Sequence, residues 1–238
     1  KYFKKVITST SISGSTRNLR LEQMKSFRKK FFLKSKKVIE IGCGSGAMLD
    51  IINQAGMKAY GLEHSKKSVA LGKLKKRRIF QGYLNDLKYL KKSPYDAFVC
   101  YNFLEHIPNI NLFVKKIREN IKDNGVGIIT VPNLDYLIKT KSFYEFVADH
   151  LSYFTKNTIK YLFEKNNFKI IECKLINNSN DIFLIIQKVK FPVKIKKIKN
   201  NILNLTRDYK EVENLIDYLR KLSLKYRKQG KRISVWGA

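Results

Sequence analysis

Val38-Ile39-Glu40-Ile41-Gly42-Cys43-Gly44-Ser45-Gly46 is the stretch whose reading decides the fold. Four residues of β-branched and acidic character run into three glycines at every second position, and Ala47-Met48-Leu49-Asp50-Ile51-Ile52 follows with helical character. The pattern predicts a short buried strand, a glycine turn and a helix start. Glycine lacks a Cβ and tolerates positive φ, so such a turn lets backbone come close to a ligand. Roughly 20 residues further on, Tyr60-Gly61-Leu62-Glu63 predicts a second strand ending in a carboxylate, the place from which an acid accepts hydrogen bonds from ribose hydroxyls. The pair implies a nucleoside-containing cofactor. Gly42, Gly44 and Ala47 fit a dinucleotide fingerprint, while Glu40, Gly42, Gly44 and Gly46 fit an acid-x-G-x-G-x-G form, so the cofactor is open at this point.

Working outward, alternating elements appear on both sides. Strands are expected at 37–41, 58–62, 79–81, 95–101 and 126–131, the last after an Asp123-Asn124-Gly125 turn. Helices are expected at 46–55, 66–74, 112–121 and 156–165, and Phe168–Glu172 and Ile182–Gln187 read as an antiparallel pair closing the sheet. This rhythm predicts an α/β, Rossmann-like, doubly wound sheet of seven mostly parallel strands, with ligands at the carboxyl ends of the strands. Before it, Leu19, Met24, Phe27 and Phe31 predict an amphipathic helix over 17–33 that packs on the sheet edge or covers the cofactor. After it, Val212, Leu215, Ile216, Leu219 and Leu222 predict a long basic amphipathic helix, and residues 232–238 look like a new strand and glycine turn. The expected division is 1–34 as lead-in and helix, 35–190 as the cofactor domain, and 191–238 as a C-terminal helical extension opening a further, truncated domain.

Composition narrows the function classes. The 238 residues carry 44% hydrophobic side chains, enough to bury a core. The formal charge of +30 invites a nucleic-acid reading, but lysine outnumbers arginine about four to one and the ten arginines are scattered. That is a whole-chain bias, and arginine is the residue suited to bidentate phosphate and guanine contacts. The reading therefore places nucleic acid behind a small anionic substrate as the expected partner. No signal peptide or membrane-length apolar run is visible. Cys43, Cys100 and Cys173 lie outside any CxxC spacing, so a cytoplasmic, reducing location is expected and no metal ligands are assigned.

With Glu40, Gly42, Gly44 and Gly46 in place, the sequence resembles the class I S-adenosylmethionine-dependent methyltransferases, whose first motif has this form. The resemblance implies S-adenosylmethionine as cofactor and S-adenosylhomocysteine as product. It places Glu40, Gly42, Cys43, Gly44 and Gly46 around the methionine portion, and Glu63 with His64 at the ribose. Gln81-Gly82-Tyr83-Leu84-Asn85-Asp86 follows the third strand, where the family flanks the adenine, so Tyr83 and Leu84 are the implied contacts. Asn102-Phe103-Leu104-Glu105-His106-Ile107 resembles the family's L-E-H-I segment, and Asn102, Leu104 and His106 are implied at the cofactor.

Asp149-His150-Leu151-Ser152-Tyr153-Phe154 is similar to a segment of methyltransferases that act on surface and antibiotic sugars. It implies His150 as general base toward a hydroxyl, with Asp149 at the acceptor and Tyr144, Tyr153 and Phe154 either walling it or serving as core aromatics. The same imidazole could instead cap the next helix. The wider layout resembles the middle of a three-part sugar C-methyltransferase family. That family's Y-H-E-H-L-S-Y-F is met here from Val147-Ala148-Asp149-His150 without its tyrosine and first histidine, so oxygen rather than carbon is the expected acceptor atom. The implied activity is methylation of a sugar or sugar derivative, such as an anionic nucleotide-sugar or glycan precursor, in surface polysaccharide biosynthesis. An RNA-directed methyltransferase and an NAD(P)-dependent oxidoreductase are the alternatives.

Overall fold

A computed structural model describes residues 14–142, 145–193, 195 and 205–234. The Thr8–Ser13 lead-in, Tyr144 and the Val235–Ala238 segment lie outside the described residues.

Seven strands form one sheet in the order β3-β2-β1-β4-β5-β7-β6. β1 (Lys37–Ile41), β2 (Lys58–Glu63), β3 (Ile79–Gln81), β4 (Tyr95–Tyr101) and β5 (Ile121–Pro132) pair in parallel. β7 (Asp181–Lys188) pairs antiparallel to both β5 and β6 (Phe168–Ile176), so the last hairpin enters with its second strand innermost. Its turn is carried by Asn177, Asn178 and Ser179, all at positive φ, which asparagine tolerates better than most residues.

The sheet is buried on both faces because successive side chains alternate. Ile39, Phe98, Ile129 and Leu184 point to one face, where α4 (Ile110–Asn120) contributes Phe113 and Ile117 and α6 (Lys156–Lys165) contributes Phe163. Val38, Val99, Ile128 and Ile185 point to the other, met by α1 (Gly14–Lys30) through Met24 and Phe27, α2 (Ala47–Gln54) through Leu49 and Ile52, and α3 (Lys66–Leu74) through Val69. Burying a leucine-sized side chain contributes about 1.5–3 kcal/mol, so two such layers are the main stabilising term.

The helices differ from expectation at their ends. α1 runs from Gly14 to Lys30 rather than 17–33, and Leu19 is exposed; its buried stripe is Met24 and Phe27. α1 also reaches the carboxyl end of β4. Arg20 stacks 4.1 Å from the Tyr101 ring centroid, and the Tyr101 hydroxyl donates to Gln23 Oε1 at 3.0 Å. The Asp123-Asn124-Gly125 turn lies inside β5 instead of preceding it. Ile121 pairs with Tyr95, the intervening residues bulge with Asn124 at φ 59°, and pairing resumes at Val126–Ala97. The stretch after β5 is not wholly irregular, since α5 spans Leu134–Lys139. At the far end α7 (Leu205–Lys228) forms as a long helix, and residues 231–234 after it have no regular structure. No helix among the described residues is long and apolar enough to cross a membrane.

Candidate active site

The glycine turn leaves β1 at the carboxyl edge of the sheet. Gly42, Gly44 and Gly46 all have positive φ, at 75°, 54° and 85°. At Gly42 the space matters as much as the angle. A Cβ there would lie 2.3 Å from Phe103 Cδ2, so the Phe103 ring rests directly on the turn. Gly46 caps α2 and faces Ile79 and Arg77, which makes it a packing glycine rather than a cavity residue.

Glu63 ends β2 beside this turn and is 2% exposed. Its Oε2 accepts the Gly44 N–H at 2.9 Å, its Oε1 accepts the Ser65 N–H at 2.8 Å, and His64 Nδ1 lies 3.1 Å from Oε1. Burial pushes this carboxyl up, but the bonds from His64, Ser65 and Gly44 outweigh it and hold Glu63 below the ordinary value of 4.5. An ionised carboxylate has about four lone-pair sites, so the two backbone donors and His64 leave room for about one ribose hydroxyl. Tyr83 stacks on His64 at 4.8 Å between centroids, and both line a cavity of about 560 Å³ with Gly42, Glu63, Leu84 and Phe103. That volume suits a small organic cofactor.

Glu40 behaves differently from Glu63. It is 6% exposed, its Oε2 has no hydrogen-bond partner, and burial together with the Glu63 charge raises its pKa well above 4.5. A buried carboxyl of this kind fits a cationic donor. Cys43 turns its thiol inward against Gly61, and burial pushes that thiol up. Leu104, expected at the cofactor, is 1% exposed and sits in the core with Ile39 and Phe98, because a 3-10 turn over Leu104–His106 rotates it under the sheet edge. Asn102 holds the bend after β4 at φ 43°, its N–H donating to the Thr130 carbonyl at 3.0 Å, and it is absent from the cavity wall.

The Glu105–His106 and Asp149–His150 segments meet although more than 40 residues apart in sequence. Leu151 and Ser152 N–H groups both donate to the Glu105 carbonyl, at 2.8 and 3.1 Å. His106 Nδ1 lies 2.9 Å from the Asp149 carbonyl and 3.6 Å from its Oδ2, and the two imidazoles are 4.8 Å apart. Tyr153 stands 5.8 Å from His150, edge to face. Burial and then His106 lower the His150 pKa from 6.5, so its imidazole is neutral at neutral pH. Glu105 is pushed up to about 8 by burial, helped by Asp181 and Asp149. Its Oε2 and His150 Nδ1 are buried without partners. Glu105, His106 and His150 also form a group able to hold a metal ion, with candidate ligand atoms all within 4.8 Å, which the sequence reading did not anticipate.

A family model described as a methyltransferase domain matches residues 16–173. The chain belongs to the methyltransferase domain family, of the class I, S-adenosylmethionine-dependent kind. The nicotinamide alternative ends there. This methyltransferase is 26% identical over 195 residues to a ubiquinone biosynthesis O-methyltransferase of Rickettsia typhi, covering 76% of this chain and 69% of the relative. It is 31% identical over 182 residues to an uncharacterized protein of Methanocaldococcus jannaschii, covering 74% and 73%. Its fold is similar to that of magnesium protoporphyrin IX methyltransferase from Synechocystis, solved with S-adenosylhomocysteine, at a TM-score of 0.58, 16% identity and coverage of 75% and 89%. A methyltransferase of Clostridium acetobutylicum is similar at a TM-score of 0.60, 12% identity and coverage of 73% and 92%.

Two residues of the methyltransferase site escaped sequence reasoning. Phe103 was passed over between motif residues. Arg77 lies in a lysine- and arginine-rich run that hides it, yet its guanidinium donates to Asp50 Oδ1 at 3.0 Å and to the Ser45 carbonyl at 2.7 Å, clamping the glycine turn to α2.

Proposed function

We propose that this methyltransferase transfers a methyl group to a hydroxyl oxygen of a small-molecule acceptor, with His150 as general base. The observation that carries the reading is the half-buried His150 imidazole, 4.8 Å from His106 and 5.8 Å from Tyr153 between ring centroids. The cofactor fits the residues present. Glu63 would take a ribose hydroxyl, the Gly42–Gly44 backbone and the orphaned Glu40 carboxyl the methionine end, and Tyr83, Leu84 and Phe103 the adenine side of the cavity. When bound, S-adenosylmethionine supplies an electrophilic methyl on a sulfonium and leaves as the neutral thioether. A hydroxyl is a weak nucleophile, so a neutral imidazole within reach takes its proton as the carbon–oxygen bond forms. The O–H proton would end on His150. Leu151 and Ser152, strapped to Glu105, hold His150 in place during this step.

For the acceptor, the His150-Leu151-Ser152-Tyr153-Phe154 segment supports a sugar or sugar derivative of surface polysaccharide biosynthesis, and the net charge of +30 suits an anionic nucleotide-sugar. The name of the Rickettsia relative favours a second acceptor, an intermediate of ubiquinone biosynthesis. A cytoplasmic site of action, expected from three free cysteines, belongs to the same proposal. Methyl transfer from labelled cofactor to nucleotide-sugars, ubiquinone precursors and bulk tRNA separates the acceptors. His150→Ala is expected to bind S-adenosylhomocysteine normally and to lose about 10²–10⁴-fold in turnover. Near-normal turnover removes the base role, and transfer to tRNA alone removes the small-molecule reading.

A further inference from the structure

Three lone pairs meet where the Glu105 and His150 segments cross. Glu105 is 2% exposed and His106 is buried beside it. Glu105 Oε2 and His150 Nδ1 are buried with no hydrogen-bond partner. Orphaned polar atoms are rare in a folded interior, so two of them in neighbouring side chains mark a place where something binds. His106 completes the group. Its Nδ1 lies 2.9 Å from the Asp149 carbonyl, which can only accept, so Nδ1 carries the proton and Nε2 the lone pair. A backbone carbonyl on one ring nitrogen is how a metal-binding imidazole is commonly held in its tautomer. The candidate donor atoms of Glu105, His106 and His150 all lie within 4.8 Å of one another.

The donor set selects the class of cation. Two imidazoles and one carboxylate suit zinc and its neighbours, whereas magnesium and calcium ask for oxygen ligands. Bonds of about 2.0–2.2 Å in a tetrahedral site put donor atoms about 3.4 Å apart. Closing from at most 4.8 Å to that spacing asks each side chain to move by about 1 Å. The backbone is already set for this, because the Leu151 and Ser152 N–H groups donate to the Glu105 carbonyl at 2.8 and 3.1 Å and tie the two segments together. The surroundings favour a cation as well. Asp149 and Asp181 act on Glu105 through their charges, and Asp149 and Glu145 act on His150, a local acidity in a chain of net charge +30. Three protein ligands leave the fourth position of such an ion to water.

We propose that Glu105, His106 and His150 bind one divalent cation of the zinc class, and that its binding suspends methyl transfer by occupying the lone pair of His150. The second clause rests on His150 as the base. A neutral imidazole has one lone pair and cannot give it to a metal and to a proton at once. Zinc chloride titrated into the chelator-stripped chain is expected to bind as one equivalent in the calorimeter, and cobalt in its place should show the visible absorption of a four-coordinate ion. His150→Ala and Glu105→Gln should each weaken zinc by about 100-fold or more, with unchanged S-adenosylhomocysteine binding showing that the variants have folded. Cys173→Ser, at a half-buried thiol, should change neither. Zinc should also shield His150 from carbethoxylation by diethyl pyrocarbonate, read by peptide mass. In the labelled-cofactor assay one equivalent should cut transfer by about 10²-fold or more, as loss of the base would, and a chelator should restore it. A chain that binds no zinc, or a His150→Ala variant that binds it as wild type does, overturns the site. Zinc that binds and shields His150 yet leaves transfer intact overturns the second clause, and the base role with it.

Discussion

Replacing Glu63 by glutamine tests the site at its most constrained atom pair. Each carboxylate oxygen accepts its own backbone N–H, Gly44 on Oε2 and Ser65 on Oε1. An amide has one carbonyl oxygen, so in either orientation its NH₂ faces one of these donors. The change loses one charge-assisted hydrogen bond, about 1.5–3 kcal/mol, and strands a buried donor at about 1–3 kcal/mol, for a total of about 2.5–6 kcal/mol. Against a typical domain stability of about 5–15 kcal/mol this is a large fraction. Urea unfolding at neutral pH measures it. Because the same oxygens serve the ribose, calorimetric titration with S-adenosylhomocysteine is expected to show affinity falling by about 10–100-fold, or about 1.4–2.8 kcal/mol. The pH dependence has a definite sign. Glu63 titrates below 4.5 in the fold, so the unfolded chain takes up its proton first as pH falls. The stability it contributes is present above its unfolded value and is lost as pH falls through the lower folded one, so wild type and variant converge in acid. A glutamine variant that unfolds within about 1 kcal/mol of wild type and keeps its affinity within a factor of about three would refute the reasoning.

Gly42→Ala combines a φ of 75° with a Cβ 2.3 Å from the Phe103 ring, and is expected to cost about 2–4 kcal/mol in urea unfolding and to weaken S-adenosylhomocysteine binding. Glu105 titrates near 8 in the fold against an ordinary 4.5, so the unfolded chain releases its proton first as pH rises. Wild-type stability should therefore carry a falling contribution between these values, and Glu105→Gln should flatten it, as denaturation compared at about pH 5 and about pH 8 would show. Burial and His106 depress His150, so the acid limb of kcat/KM is expected below pH 6.5; a limb above that value contradicts a neutral base. Arg77→Lys keeps the charge but cannot reach Asp50 and Ser45 together, and is expected to cost about 1–2 kcal/mol and to loosen the glycine turn.

Much of the fold was legible because its signals are local. Val38–Ile41, Tyr95–Tyr101 and Ile128–Val131 are apolar runs of strand length, and the glycines and Glu63 recur at a spacing set by one strand–helix–strand unit. Glu63, His64, Tyr83 and Leu84 do gather at one cavity. Less legible were residues whose direction depends on a turn. Leu104 and His106 are two positions apart in one motif, yet the 3-10 turn sends the leucine into the core and leaves the imidazole toward His150. The bulge in β5 was missed because Asp123-Asn124-Gly125 has the composition of a free turn, and only pairing with Tyr95 keeps Ile121 in the sheet.

The sequence by itself determined the alternation of strand and helix, the glycine turn and the acid that faces it, because each follows from backbone preference within a few tens of residues. Tertiary structure decided what those groups do to one another. It set Phe103 on Gly42, Arg77 on the back of the turn, and Glu105 against His150, contacts between segments far apart in sequence. Glu40 and Glu63 are the same residue type at the ends of neighbouring strands. Two backbone N–H groups and His64 keep one ionised, while burial without a partner favours the proton on the other. That difference is a matter of solvation and neighbouring donors, which exist only once the chain has folded.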